Sequence, residues 1–436
     1  MNIRRIALNM LDEYELGGKY VNLSLSSHSA DSLTHEERAA LTALLYTSVE
    51  KKITYDYYIC ALSGRGISDI DPHTLNILRL GMCQIVDMTS IPDFAAVNET
   101  VKLARSNGER SFVNGVLRRA VREKASLPMP DPEKNYKRYL SVKYSYSLWI
   151  VKLLDSTYGT DACERMLDFF NNEKYTDITV NTLKISENEL KERLLSEGLP
   201  CEANCGLGMS LRISRSVNPE RISGFSDGEF FVQDRACVVS ALALSPSVND
   251  TVIDVCACPG GKSFAAAILM KDSGRVLSFD LHENKLSLIS DGAKRLGLSS
   301  VCERVLDATT PDGSLFGTAD KVICDVPCSG LGVLGKKPDL RYKSEESVRE
   351  LPALQYEILE SSAKYLKVGC ELLYSTCTLN SEENERVVEK FLAEHGEYES
   401  VDFKVADYKS SCGMLTLLPH VDLCDGFFMA KLRKVR

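Results

Sequence analysis

The sequence predicts a multidomain chain: an all-α domain first, a small α+β module next, and an α/β domain built on a parallel sheet last. Three observations predict it. Apolar residues recur at three- and four-residue intervals through the first ~125 positions. Helix-like and strand-like stretches mix between about 136 and 229, and beyond Phe230 apolar strands alternate with amphipathic helices. At about 150 residues per domain, 436 residues leave room for three units.

In the first domain Ala7, Leu8 and Leu11, then Leu41, Leu44, Leu45 and Val49, keep the helical period. Thr34 with Glu37 three positions on makes a capping box that opens the helix carrying Leu41 and Leu44. Leu127-Pro-Met-Pro-Asp-Pro places three prolines within six residues, which a helix cannot carry, and ends the domain. The expected limits are 1–128 for the helical domain, 129–236 for the linker and module, and 237–436 for the α/β domain. Within the module, helices are expected around Trp149 to Leu154, Ala162 to Phe170 and after Ser186, with a strand from Ile178.

Composition excludes several classes. Hydrophobic residues at 44% and charged residues at 26% mark an ordinary globular chain. The longest uncharged run, Ala236 to Asn249, is 14 residues, below the ~18 that span a bilayer. The run Ile6 to Leu11 meets Asp12 and Glu13 too soon for a signal peptide, so a cytoplasmic location with no membrane partner is expected. A monomer is expected as well. The 15 cysteines are an odd count with no Cys-x-x-Cys, and Cys201 and Cys205 lack a second ligand pair, so reduced thiols and no metal site are expected.

A net charge of -9 argues against coating nucleic acid by bulk electrostatics. Residues 101–124, however, hold seven basic residues (Lys102, Arg105, Arg110, Arg118, Arg119, Arg122, Lys124) against Glu109 and Glu123. That local excess can face phosphate or line a solvated helix.

The chemistry concentrates in the α/β domain. Thr251-Val-Ile-Asp-Val-Cys reads as a buried parallel strand, followed directly by Ala257-Cys-Pro-Gly-Gly-Lys and a helix from Phe264. Adjacent Gly260 and Gly261 let a ligand approach the backbone at a helix N-terminus, which suits a nucleotide-like molecule. The spacing before Lys262 is not that of a phosphate-cradling P-loop. Three later strands end in carboxylates, Asp280, Asp307 and Asp325, which should converge on the crevice at the carboxyl ends of the strands. Asp280 lies 20 positions after Gly260, the spacing of a ribose-binding carboxylate. Cys328 and Cys377 each follow such a strand, and Asn380-Ser-Glu-Glu383 reads as a capping box whose helix would direct its positive end near Cys377 and favour thiolate. His282, His395 and His420 lie outside these motifs, so a Cys-His hydrolase is disfavoured.

Cys256-Ala-Cys-Pro-Gly-Gly-Lys, Asp280, Asp307, Asp325-Val-Pro-Cys-Ser-Gly and Ser375-Thr-Cys-Thr, in this order, resemble the motifs of the RNA cytosine-5 methyltransferases. Leu418-Pro-His and Asp425-Gly-Phe-Phe-Met-Ala-Lys-Leu resemble the same family. Ala96-Val-Asn-Glu-Thr-Val-Lys-Leu-Ala and Phe112-Val-Asn-Gly-Val-Leu-Arg resemble the NusB-type RNA-binding helical domain, so the resemblance covers nearly the whole chain. It departs from the family at Cys258, where Ala is usual, at Lys336 and Lys337, where Arg or His is commoner, and at Thr179, where Arg is common.

The resemblance implies a NusB-like domain, a small module and a Rossmann-like class I methyltransferase domain. It implies S-adenosyl-L-methionine as cofactor, small-subunit ribosomal RNA as partner, and methyl transfer to carbon 5 of cytosine through a covalent Cys–cytosine bond. Cys377 would be the nucleophile, Cys328 would assist release, and Asp325 would hydrogen-bond the base. Asp280 would hold the cofactor ribose and Asp307 its adenine. Cys256, Ala257, Cys258, Pro259, Gly260, Gly261, Lys262 and Asp325 would complete the cofactor side. Arg118, Arg119, Arg122, Lys336, Lys337 and Arg341 would meet RNA. A transfer RNA methyltransferase and a non-catalytic antitermination-type RNA-binding protein are the alternatives.

Overall fold

The computed structural model describes residues 3–17, 33–204 and 206–436. They form two compact units, residues 1–168 with 334–343 and residues 169–333 with 344–436. The chain passes from the first to the second within the helix Thr160–Asn172.

The first unit is helical as expected. Thr34 Oγ1 accepts from the Glu37 backbone N–H at 3.2 Å and Glu37 Oε2 from that of Thr34 at 3.0 Å, so the capping box opens the helix His35–Glu50. Helix Pro72–Val86 starts on Asp71, whose side chain accepts from the Thr74 N–H, and buries every residue from His73 to Ile85. It packs on helix Asn107–Arg122 so closely at Gly81 that a Cβ there would sit 2.6 Å from the Leu117 side chain. Residues 334–343 add a short 3-10 turn, Pro338–Tyr342, to this unit.

The second unit holds two sheets. In the smaller, β1 (Thr176–Val180), β2 (Cys201–Ala203), β3 (Ser210–Ile213) and β4 (Phe230–Val232) pair antiparallel in the order β2-β3-β1-β4. Helix Glu187–Ser196 covers this sheet, burying Leu190 and Leu194 against Ile178, Leu211 and Phe230. Its capping box, Ser186 with Glu189, is the start signal expected after Ser186.

The larger sheet runs through β5 (Thr251–Asp254), β6 (Arg275–Asp280), β7 (Val301–Val305), β8 (Ala319–Asp325) and β9 (Leu366–Thr376), all parallel. β10 (Tyr398–Ser400), β13 (Met414–Leu417) and β14 (Phe427–Lys434) extend it antiparallel, while β11 (Lys404–Val405) and β12 (Tyr408–Lys409) form a separate hairpin. The order β10-β14-β9-β8-β5-β6-β7 gives the expected parallel sheet at the centre and makes the whole sheet mixed, because the chain after β9 returns against that strand. Alternate residues of each central strand enter cores on opposite faces: Val252, Val276 and Ile323 on one side, Ile253, Leu277 and Val322 on the other. The sheet is thus buried on both faces, which is why its strands read as continuous apolar runs. Strand order reverses at β5, whose neighbours are β6 and β8, and the crevice beyond the strand ends there is where an α/β sheet binds ligands.

Candidate active site

The glycine turn leaves β5 just beyond Asp254. That side chain is buried, accepts from Ser263 Oγ at 2.7 Å, and connects through Ser263 to Ser278 Oγ at 2.8 Å, tying β5, β6 and the following helix together. Burial pushes the Asp254 carboxyl up to about 7. The Ala257 N–H donates to Phe279 O at 2.7 Å and the Gly260 N–H to Ala257 O at 2.6 Å, across a cis Cys258–Pro259 bond. Gly260 caps the helix Gly261–Leu269 at φ 109°, and a Cβ there would meet the Phe264 ring at 2.4 Å. Only glycine fits this turn. The Cys256 thiol is raised well above its ordinary value by burial and then by neighbouring charges.

Two strand-end carboxylates, Asp280 and Asp325, bond to the residues of this turn. Asp280 accepts the Cys258 N–H at 3.3 Å and the His282 N–H at 3.0 Å. The Leu306 N–H donates to Asp280 O at 3.1 Å, which brings the start of the Asp307 loop beside it. Asp307 accepts from Thr309 N at 2.9 Å and Thr309 Oγ1 at 2.7 Å. On the other side of β5, Asp325 accepts from Ser375 Oγ and from Lys262 Nζ, each at 2.6 Å. Burial alone would lower the Lys262 pKa, but the charges of Asp325, Cys237 and Asp254 outweigh it and hold the ammonium protonated.

The two thiols meet. Cys328 Sγ and Cys377 Sγ lie 3.3 Å apart, brought together by the loops that follow neighbouring β8 and β9. The Gly332 N–H donates to Cys377 O at 2.9 Å and the Gly426 N–H to Gly332 O at 2.8 Å. A Cβ on Gly332 would lie 1.8 Å from Gly426 O, so these segments touch backbone to backbone. The Cys328 thiol is held well above its ordinary value by its hydrogen bond to Cys377, then by burial and by the charges of Cys377 and Glu383.

Residues 241–433 match the family described as "16S rRNA methyltransferase RsmB/F", and residues 1–122 match the NusB family. The Bacillus subtilis (strain 168) protein named "Probable ribosomal RNA small subunit methyltransferase B" is 35% identical over 99% of both chains. This chain belongs to the RsmB/F family. Its relative of the same name in Synechocystis sp. is 34% identical over 100% of both chains. The solved structure described as "Crystal Structure of PH0851" superposes with a TM-score of 0.82 at 28% identity, over 99% of this chain and 98% of that one.

Two expectations for this RsmB/F chain are corrected. The segment Asn380–Glu383 does not cap a helix. The helix begins at Glu385, eight residues past Cys377, on an Asn384 that makes no side-chain cap bond. Glu383 instead turns inward, fully buried, to the Ser329 backbone and hydroxyl. A helix dipole acts over its first turn, so the group set against Cys377 is Cys328 rather than a helix terminus. Arg341 does not face solvent. It is 1% exposed, donates to Leu334 O at 3.3 Å and Glu50 O at 3.1 Å, and stacks 4.5 Å from the centre of the Tyr146 ring, all within the first unit.

The remaining basic candidates are exposed. Arg118, Arg119 and Arg122 share the helix Asn107–Arg122, with Arg119 also bonded to Glu123 and Leu62 O, and Lys336 and Lys337 lie in the 334–343 segment of the same unit. Thr179 is buried and donates to Gln233 Oε1 at 2.9 Å, so the position where Arg is common elsewhere serves the inside of the module. Sequence reasoning missed the Lys262–Asp325 pair, Ser375 and the buried Glu383. The clue available was the unusual density of carboxylate and amide side chains in Asn380-Ser-Glu-Glu-Asn. Cys205, one of the weighed metal-like pair, lies outside the described residues. Among the described residues no helix is long and apolar enough to cross a membrane.

Proposed function

We propose that this RsmB/F protein transfers a methyl group from S-adenosyl-L-methionine to carbon 5 of a cytosine in 16S ribosomal RNA, by way of a covalent bond from Cys377 to carbon 6, in the cytoplasm where ribosomes assemble. The observation that supports it most directly is the thiol pair at 3.3 Å, set beside Asp325 at the carboxyl end of the sheet. S-adenosyl-L-methionine, when bound, supplies an electrophilic methyl group. The residues present fit it: a glycine turn at a helix N-terminus, and the carboxylates of Asp280 and Asp307, acceptors suited to ribose hydroxyls and an amino group.

Carbon 5 of cytosine is too weak a nucleophile to take the methyl group unaided. The Cys377 thiolate adds to carbon 6 and raises the electron density at carbon 5, which then takes the methyl. Asp325 already accepts from Lys262 and Ser375, so it meets the base as an acceptor, opposite the exocyclic amino group. Cys328, 3.3 Å from Cys377, serves the release step: its deprotonated sulfur takes the carbon 5 proton, the C5–H electron pair re-forms the C5–C6 double bond, and Cys377 leaves as thiolate. The target base must leave its stack, at a cost of a few kcal/mol, so an unpaired cytosine is favoured. Exposed Arg118, Arg119, Arg122, Lys336 and Lys337 supply phosphate contacts.

Replacing each thiol tests this. Cys377→Ala should abolish both turnover and the RNA adduct seen on denaturing gels, whereas Cys328→Ala should accumulate the adduct. The reverse pattern would exchange the two roles, and no adduct in either would overturn covalent catalysis.

A further inference from the structure

Two adjacent buried side chains reach opposite thiol loops. Glu383 accepts the Ser329 N–H at 2.8 Å, Ser329 Oγ at 2.5 Å, Gln355 Nε2 at 2.9 Å and Asn380 Nδ2 at 3.0 Å. Gln355 Nε2 also donates to Pro327 O at 2.9 Å, so the residues on both sides of Cys328 are anchored through this carboxylate and amide. Asn384 does the same for Cys377: its Oδ1 accepts from Thr376 Oγ1 at 2.5 Å and its Nδ2 donates to Thr378 O at 3.0 Å. Ser329 Oγ and Thr378 Oγ1, 2.7 Å apart, join the two halves.

We propose that Glu383 and Asn384 form a two-sided clamp that positions the thiols separately, Glu383 setting Cys328 and Asn384 setting Cys377. A fully buried carboxylate is a poor source of stability even when satisfied, so its presence calls for another purpose. Five donors surround this acceptor-only group, the fifth and longest being Thr378 Oγ1 at 3.4 Å from the Cys377 side, and the shorter four, three of them tied to the Cys328 loop, fix its neighbours in direction as well as distance. Gln355 shows the constraint: it turns both amide hydrogens to Pro327 O and Glu383 while its own Oε1 is buried without a partner. Because the two side chains are chain neighbours at the root of the helix Glu385–Glu394, any shift of one loop is reported to the other through a single peptide bond.

The proposal rests on the reading of both thiols as reacting groups, and the test separates the two. In the full-length protein, Glu383→Gln, Asn384→Ala and, should the first fold poorly, Ser329→Ala are compared with the parent. Diamide takes two hydrogens and two electrons from the thiols, giving a Cys328–Cys377 disulfide and a hydrazine, and mass spectrometry follows the rate. Each variant should form this disulfide more slowly while cofactor affinity stays within about twofold. Turnover should fall about a hundredfold, the scale on which a misplacement of ~1 Å acts. Glu383→Gln should accumulate the RNA adduct as Cys328→Ala does, and Asn384→Ala should form less of it, as Cys377→Ala does. Disulfide formation at the parental rate in folded variants, or one shared adduct phenotype for both, overturns the clamp. Slower disulfide formation with no adduct even from Cys328→Ala supports the clamp and overturns the covalent reading.

Discussion

Lys262 Nζ donates to Asp325 Oδ2 at 2.6 Å, and the same ammonium stands 5.1 Å from the centre of the Phe427 ring. The glycine turn and the end of β8 are thereby joined by a charge pair whose cation is almost wholly enclosed.

Lys262→Met should remove a charge-assisted hydrogen bond worth about 1.5–3 kcal/mol. Since about 1.4 kcal/mol is tenfold in rate, single-turnover methyl transfer should slow roughly 10- to 100-fold, with a smaller change in cofactor affinity. A variant that loses cofactor affinity yet keeps its rate would assign Lys262 to the cofactor side alone.

Asp254 gives a pH signature. Its ordinary pKa of 3.8 is pushed up to about 7 by burial. Between those values the folded chain keeps a proton that the unfolded chain has lost, so stability falls as pH rises, by about 1.4 kcal/mol per pH unit for this group. Asp254→Asn still offers Ser263 an acceptor and has nothing to ionise. Its melting temperature relative to the parent should climb between pH 5 and 7 and then level. An offset that does not vary with pH would refute the assignment.

The two kinds of arginine should separate cleanly. Arg118→Ala and Arg122→Ala should weaken RNA binding at every sequence and reduce the log–log salt slope by about one each, with little change in melting temperature. Arg341→Ala should cost more than ~2 kcal/mol of stability, because two backbone carbonyls and the Tyr146 ring lose their partner. Filter binding at several salt concentrations and thermal unfolding decide both.

What could be read beforehand was what is local in the chain. The glycine turn, the strands ending at Asp280 and Asp325, and the Thr34 capping box depend on residues within one or two turns of each other. Long-range partners were not legible. Arg341 is buried because Glu50 O and Leu334 O receive it, and Glu383 leaves a helix-capping pattern because Ser329, from a loop 54 positions earlier, supplies better donors. The antiparallel extension of the sheet escaped for a similar reason: Phe427–Lys434 has the same apolar run as a parallel strand, and only its register against β9 distinguishes them.

That register has a consequence during synthesis. β14 is made after every other strand of its sheet, yet it inserts between β10 and β9, and β9 leads directly into Cys377. Until β14 has been made, the edge of β9 stays bare and the segment around Gly426 cannot brace the thiol loops. In a nascent chain, then, both thiols are present before the strand that braces their loops.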